Sequence, residues 1–143
     1  MPEKEPWRYC LCEAPELSDC KARLQEWLLA RQTPVNALED ALLVVEEVVG
    51  NVLQHGTRKG DQSIWLECDV NSAVRLTVSD FAEPFNPLTE IPPADIAADD
   101  ASRMQGGFGF FIVLELSEHI EYHRRNDQNI LHITLPAFST VSS

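Results

Sequence analysis

The stretch from Leu38 to Gly56, LEDALLVVEEVVGNVLQHG, limits the fold more than any other part of the chain. Apolar residues Leu38, Ala41, Leu42, Val45, Val48, Val49 and Val52 recur at helical spacing, so one face of a long helix has to be buried. At about 100° per residue, Glu47, Asn51 and His55 are successive i,i+4 neighbours and form a polar stripe on the other side. Valine is a mediocre helix former, so packing rather than intrinsic propensity must hold this helix. Gly50 sits mid-helix, where it costs about 1 kcal/mol relative to alanine. A glycine beside the stripe implies that something comes close to the backbone there. A carboxylate, a carboxamide and an imidazole in line face either water or a ligand, and the helix alone does not decide which.

The 143 residues are enough for one domain with a real core, expected over about 7–136 with a frayed tail at 137–143. With 44% hydrophobic and 24% charged residues, the composition is globular rather than disordered. No apolar run reaches membrane-spanning length, and the start MPEKEPWRYC lacks the apolar segment of an export signal. A cytoplasmic protein with no membrane partner is therefore expected. The net charge of −12 argues against direct nucleic-acid binding, because phosphates would be repelled, and is compatible with a basic protein partner. Cys10, Cys12, Cys20 and Cys68 form no C-x-x-C pair and have no zinc-site spacing with histidine, so reduced, partly buried thiols are expected.

Taken in order, Trp7 to Ala14 alternates as a strand, and Leu17 to Ala30 reads as an amphipathic helix. Thr33-Pro34 breaks the chain before the long helix, which should end at a glycine cap near Gly56. Ser63 to Val70 and Ala73 to Ser79 read as a hairpin joined by Asn71-Ser72. Asp80 to Gln105 changes character, with Pro84, Pro87, Pro92 and Pro93 and little periodicity, and a loop of this length is expected to be a functional lid from about Asn86 onward. Phe110 to Leu116 reads as a third helix, and His119 to Arg125 with Ile130 to Leu135 as a closing hairpin around Asn126 to Asn129. The order β-α-α-β-β-lid-α-β-β predicts an α+β two-layer sandwich, a mixed and mostly antiparallel sheet with three helices on one face.

Two further motifs carry chemistry. Asp80 follows an apolar strand in SDFAEPF, and a carboxylate at a strand end can accept hydrogen bonds from an exocyclic amine. Asp after a strand is also a common turn residue. GGFGF opens the third helix, where glycines let backbone N–H groups approach a phosphate and the helix N-terminus adds favourable partial charge. The dinucleotide fingerprint fails, because Ile112 stands where its third glycine should be and no parallel βαβ unit surrounds it.

Order and spacing strengthen the signal: E-x-x-x-N on a helix, D-x-A-x-P-F after a hairpin, a Pro-rich stretch, then G-G-x-G-F opening another helix. This set resembles the Bergerat-type (GHKL) ATP-binding fold shared by histidine kinases, DNA gyrase, MutL and a class of heat-shock chaperones. Within it the chain is most similar to the small anti-sigma-factor serine kinases of bacterial partner-switching systems, those resembling RsbW and SpoIIAB. The resemblance runs over roughly Trp7 to Pro136. It implies that Glu47 is the general base, that Asn51 holds Mg²⁺ and that Asp80 accepts from the adenine amino group of ATP. It also places Ala82 and Phe85 at the nucleotide, and Gly106, Gly107, Gly109 and Phe110 in the phosphate-binding glycine box. His55 is read as structural, and Asn129, where the family often has Gly-Thr, as assisting at the adenine.

Three departures from the family pattern stand out. Ala82 replaces the usual glycine of the aspartate box, adding a methyl near the adenine and restricting the backbone. Gln105 stands where a basic residue is usual, leaving Arg103 as the nearest cation for the γ-phosphate. Gln128-Asn129 replaces Gly-Thr. The resemblance implies an ATP-dependent serine kinase that acts on a small antagonist protein carrying the phosphoacceptor serine, sequesters a sigma factor or similar regulator, and forms a homodimer as such relatives commonly do. The alternative is a non-catalytic anti-sigma or switch module with weak or absent ATP turnover. A histidine-kinase catalytic domain is a third reading, without a preceding phosphoacceptor helix pair.

Overall fold

The structure, a computed structural model, describes residues 5–55, 60–90 and 108–137. The elements run β1 (Trp7–Leu11), α1 (Glu16–Ala30), α2 (Val35–His55), β2 (Ile64–Val70), β3 (Ala73–Asp80), α3 (Pro87–Glu90), α4 (Phe108–Leu116), β4 (His119–Arg125) and β5 (Gln128–Pro136). The five strands form one open sheet in the order β1-β2-β3-β5-β4. All four pairings are antiparallel, so the sheet lies at the antiparallel end of the expected mixed arrangement. Alternation along β3 and β5 buries Leu76, Val78, Leu131, Ile133 and Leu135 against the helices. The long helix α2 lies over β3 and β5, with α1 and α4 packed beside it. Its buried face is Ala37, Leu38, Ala41, Val44, Val45, Val48 and Val49. Each such valine or leucine contributes roughly 1.5–3 kcal/mol on burial, which outweighs the weak helix propensity of the run.

Local chemistry explains where the observed boundaries differ from those read in the sequence. β1 stops at Leu11 instead of Ala14 because the Glu16 carboxylate accepts the N–H groups of Cys12 and Glu13 at 2.8 and 2.9 Å, drawing the chain into α1. That doubly bonded carboxylate is held below the usual range by those two N–H donors. α1 ends in a Schellman motif: Thr33 N–H donates to Leu28 O and Gln32 N–H to Leu29 O, with Gln32 at φ 58°. α2 begins at Val35, three residues before the expected start, with the Leu38 N–H donating to Pro34 O at 2.9 Å.

The β4–β5 loop is shorter than the expected Asn126 to Asn129. Arg125 pairs with Gln128, and Asn126 and Asp127 both take positive φ, the signature of a two-residue type I′ turn. Asn129 therefore belongs to a strand. Two of the thiols, Cys20 and Cys68, are buried, while Cys10 and Cys12 are exposed. α3 forms inside the stretch expected to be a lid: Asn86 caps it through Leu88 N–H at 2.9 Å, and Glu90 reaches back to the Asn86 N–H at 2.8 Å. The remainder of that stretch, 91–105, lies outside the described residues.

Candidate functional site

Asp80 is the last residue of β3, and strand register decides what surrounds it. It faces Asn129 of β5, which faces Arg124 of β4, so an acid, an amide and a base form one row across three strands. The same row continues through Ile64 and Leu11, both buried in the core, so its side chains point to the helical side. Beyond Asp80 the chain turns, with Asp80 Oδ1 accepting the Ala82 N–H at 2.8 Å. The same oxygen accepts from Asn129 Nδ2 at 3.0 Å. Asp80 is only 5% exposed, yet its Oδ2 takes no hydrogen bond among the described residues. One carboxylate oxygen is thus fixed by the chain, and the other is presented.

Asn129 sits at the centre of this corner and is 7% exposed. Its Oδ1 accepts from the Phe85 N–H at 3.1 Å, from the Tyr122 hydroxyl at 2.5 Å and from Arg124 at 3.3 Å. Its Nδ2 donates to Asp80 and, at 3.0 Å, to the Glu83 carbonyl, with the Ala82 carbonyl at 3.4 Å. Arg124 also donates to the Ala82 carbonyl at 2.8 Å. Ala82 is buried and is absent from the positive-φ residues, so its backbone conformation does not require glycine. The turn therefore accommodates alanine without strain, and the residue is buried. Phe85 leaves its ring 43% exposed at the rim of the turn.

The second part of the site is on α2. Glu47 and Asn51 are both half-buried and one helical turn apart. The Glu47 carboxylate lies against Gly109 in the first turn of α4, and a Cβ at Gly109 would meet Glu47 Cδ at 2.8 Å and overlap its Oε1. Gly109 is thus small because the carboxylate is there. Gly50 differs: among the described residues a Cβ there would meet nothing within 4 Å. Phe110 is 3% exposed and its ring belongs to the core, so only its backbone could serve a phosphate. His55 ends α2. Arg103, Gly106 and Gly107, with Gln105, lie outside the described residues. Among the described residues no group of three His, Cys, Asp or Glu side chains could hold a metal.

Tyr122 and Arg124 were not among the residues expected from sequence. Their signal was available in principle: a two-residue turn at Asn126-Asp127 sets Arg124 directly opposite Asn129, and alternation puts Tyr122 on the same face.

An antiparallel sheet covered by a long helix bearing E-x-x-x-N, with a buried aspartate at a strand end, defines a kinase- or ATPase-type domain. The chain belongs to the histidine kinase-like ATPase domain family, whose model matches residues 13–135. It is similar in structure to the RsbU and RsbW domains of Rv1364c from Mycobacterium tuberculosis, with a TM-score of 0.63 and 18% identity over 92% of this chain and 32% of that one. It is also similar to the Erythrobacter litoralis EL346 blue-light activated histidine kinase, with a TM-score of 0.51 and 22% identity over 73% of this chain and 32% of that one. The chain thus spans about a third of each, and at these identities the likeness is one of fold. No curated protein matches it. Among the described residues no helix is long and apolar enough to cross a membrane.

Proposed function

We propose that this chain binds ATP with Mg²⁺ and transfers the γ-phosphoryl group to a serine of a small antagonist protein, acting also as an anti-sigma-type regulator in a partner-switching system. The observation that carries the reading is the Asp80 carboxylate, buried at a strand end with Oδ1 held by the chain and Oδ2 left as an acceptor for an exocyclic amine. The family supports nucleotide chemistry, and the structural likeness to an RsbW domain supports the regulatory setting. The charge of −12 favours basic protein partners over nucleic acid.

Phosphoryl transfer asks little covalent chemistry of the protein and depends on positioning and charge. In this reading Glu47 takes the proton from the serine hydroxyl as its oxygen bonds to the γ-phosphorus, while the bond from that phosphorus to the bridging oxygen breaks and ADP leaves. Gly109 leaves room for the Glu47 carboxylate beside the first turn of α4, the end of a helix that favours negative charge. Magnesium, when bound, neutralises phosphate charge. Asn51 would supply a carboxamide oxygen to hold it, a hard donor of the kind this ion prefers. Arg103 is the nearest cation to the glycine box in sequence and is assigned to the γ-phosphate.

The second reading, a binding module without turnover, is favoured by Gln105 standing where related sequences carry a base. Labelled ATP and the cognate antagonist separate the two. Wild type should transfer phosphate, and Glu47→Ala should lose about 10²–10⁴ in rate while keeping nucleotide affinity. Undiminished transfer by the variant removes Glu47 from the mechanism, and no transfer by wild type to a cognate partner leaves the binding module.

A further inference from the structure

We infer that Tyr122 and Arg124 are positioning residues that set nucleobase selectivity at Asp80, an inference that rests on the nucleotide-binding reading above. A carboxamide oxygen has two lone pairs and its nitrogen two protons. Three donors, Phe85 N–H, Tyr122 O–H and Arg124, crowd the oxygen of Asn129. Asp80 and the Glu83 carbonyl take both protons of its nitrogen. No capacity remains for a direct bond to a base, so Asn129 acts on a nucleotide only through Asp80.

The donors also fix which way the amide points. With its oxygen turned to Tyr122 and Arg124, its NH₂ must face Asp80, and Asp80 Oδ1 is thereby occupied. Arg124 ties the same corner from a second direction through the Ala82 carbonyl, so the turn that carries Asp80 is braced on both strands. What this corner then offers is Oδ2, an acceptor held in a single orientation by the bonds to Oδ1. An acceptor there welcomes a purine with a 6-amino group and opposes one with a 6-oxo group, whose own acceptor would face it. Loosening the brace lets the carboxylate rotate, and its preference is reduced.

The test compares Mg-ATP with Mg-ITP, which differ only in this group and its ring proton, by calorimetric titration of the whole chain. Wild type should prefer ATP by about 10–100-fold, the range of one hydrogen bond to a charged group. Tyr122→Phe, which removes one hydroxyl and keeps the ring, and Arg124→Ala should each cut that ratio about tenfold while ITP affinity stays within twofold. Arg124→Lys, able to reach one of the two acceptors, should fall between. A purely structural role would weaken both nucleotides together, and that result, or an unchanged ratio in folded Tyr122→Phe, overturns the inference and leaves nucleotide binding intact. If wild type binds neither nucleotide, the proposed function falls and this inference with it.

Discussion

The contact between Glu47 and Gly109 can be tested without any ligand, by adding one methyl group. In Gly109→Ala the new Cβ overlaps the Glu47 carboxylate, with Cδ only 2.8 Å away. The obstacle is the far end of a flexible side chain, so Glu47 can swing aside instead of breaking the helix packing. An off-rotamer glutamate costs of order 0.5–1.5 kcal/mol. Against this, alanine is up to about 1 kcal/mol better than glycine in a helix, less in a first turn. The two effects offset each other, and Gly109→Ala should change stability by less than about 0.5 kcal/mol. In a Glu47→Ala background the obstacle is gone, and the same substitution should stabilise by up to about 1 kcal/mol.

A double-mutant cycle by urea denaturation therefore gives a coupling of about 1 kcal/mol between positions separated by 62 residues in sequence. Contacting residues commonly couple by 0.5–3 kcal/mol, so the value is within reach of the method. Equal effects of Gly109→Ala in the two backgrounds would refute the contact. Phosphate transfer adds a second reading: if Glu47 is the base, Gly109→Ala should slow transfer by at least about tenfold despite unchanged stability, since a displaced base loses much of the 10²–10⁴ such groups supply.

Two other outcomes follow from residues remote from the site. Gln32 occupies the left-handed position of the α1 Schellman motif at φ 58°, so Gln32→Gly should stabilise the chain by roughly 1 kcal/mol in thermal or urea unfolding. Burial pushes the Cys20 and Cys68 thiols up to about 12, so the folded chain keeps these protons after the unfolded chain has lost them. Their contribution is complete below the unfolded thiol pKa of about 9 and disappears as pH rises toward 12. Urea midpoints should fall across pH 9–12, and Cys68→Ala, which costs stability at every pH, should nevertheless flatten that slope.

The sheet order and the long helix were legible because period-2 and period-3.6 patterns leave a trace in every turn of chain. Glu47, Asn51 and Asp80 stood out for the same reason, being polar residues at fixed offsets in those patterns, and the structure places the first two one turn apart on α2 and the third at the end of β3. What escaped was set by single side chains acting on the backbone. Glu16 ends β1 early by taking two N–H groups, which alternation in Trp7 to Ala14 does not reveal. Positive φ at Asn126 and Asp127 shortens the last hairpin and moves Asn129 from a loop into a strand. That shift of register is what brings Tyr122 and Arg124 to the site. Phe110 was read as part of a glycine box, and its ring proves to be core, because one residue can lend its backbone to a site and its side chain to packing.

The departures from the related pattern at Ala82 and Asn129 are one structural change. Where glycine would leave the turn after Asp80 free to take many conformations, Ala82 narrows it, and its carbonyl is held by Arg124 at 2.8 Å. Where Gly-Thr would offer a short hydroxyl, Asn129 offers a longer amide with both donor and acceptor capacity, enough to join Asp80 to Tyr122, Arg124 and the Glu83 and Phe85 backbone at once. A fully paired buried amide stiffens its surroundings, whereas one missing partner would leave a buried polar group unsatisfied at a cost of about 1–3 kcal/mol. The two substitutions therefore depend on each other. Asn129→Thr alone should strip the brace from the Ala82 turn, and restoring glycine at 82 would remove the restriction without restoring the lost bonds.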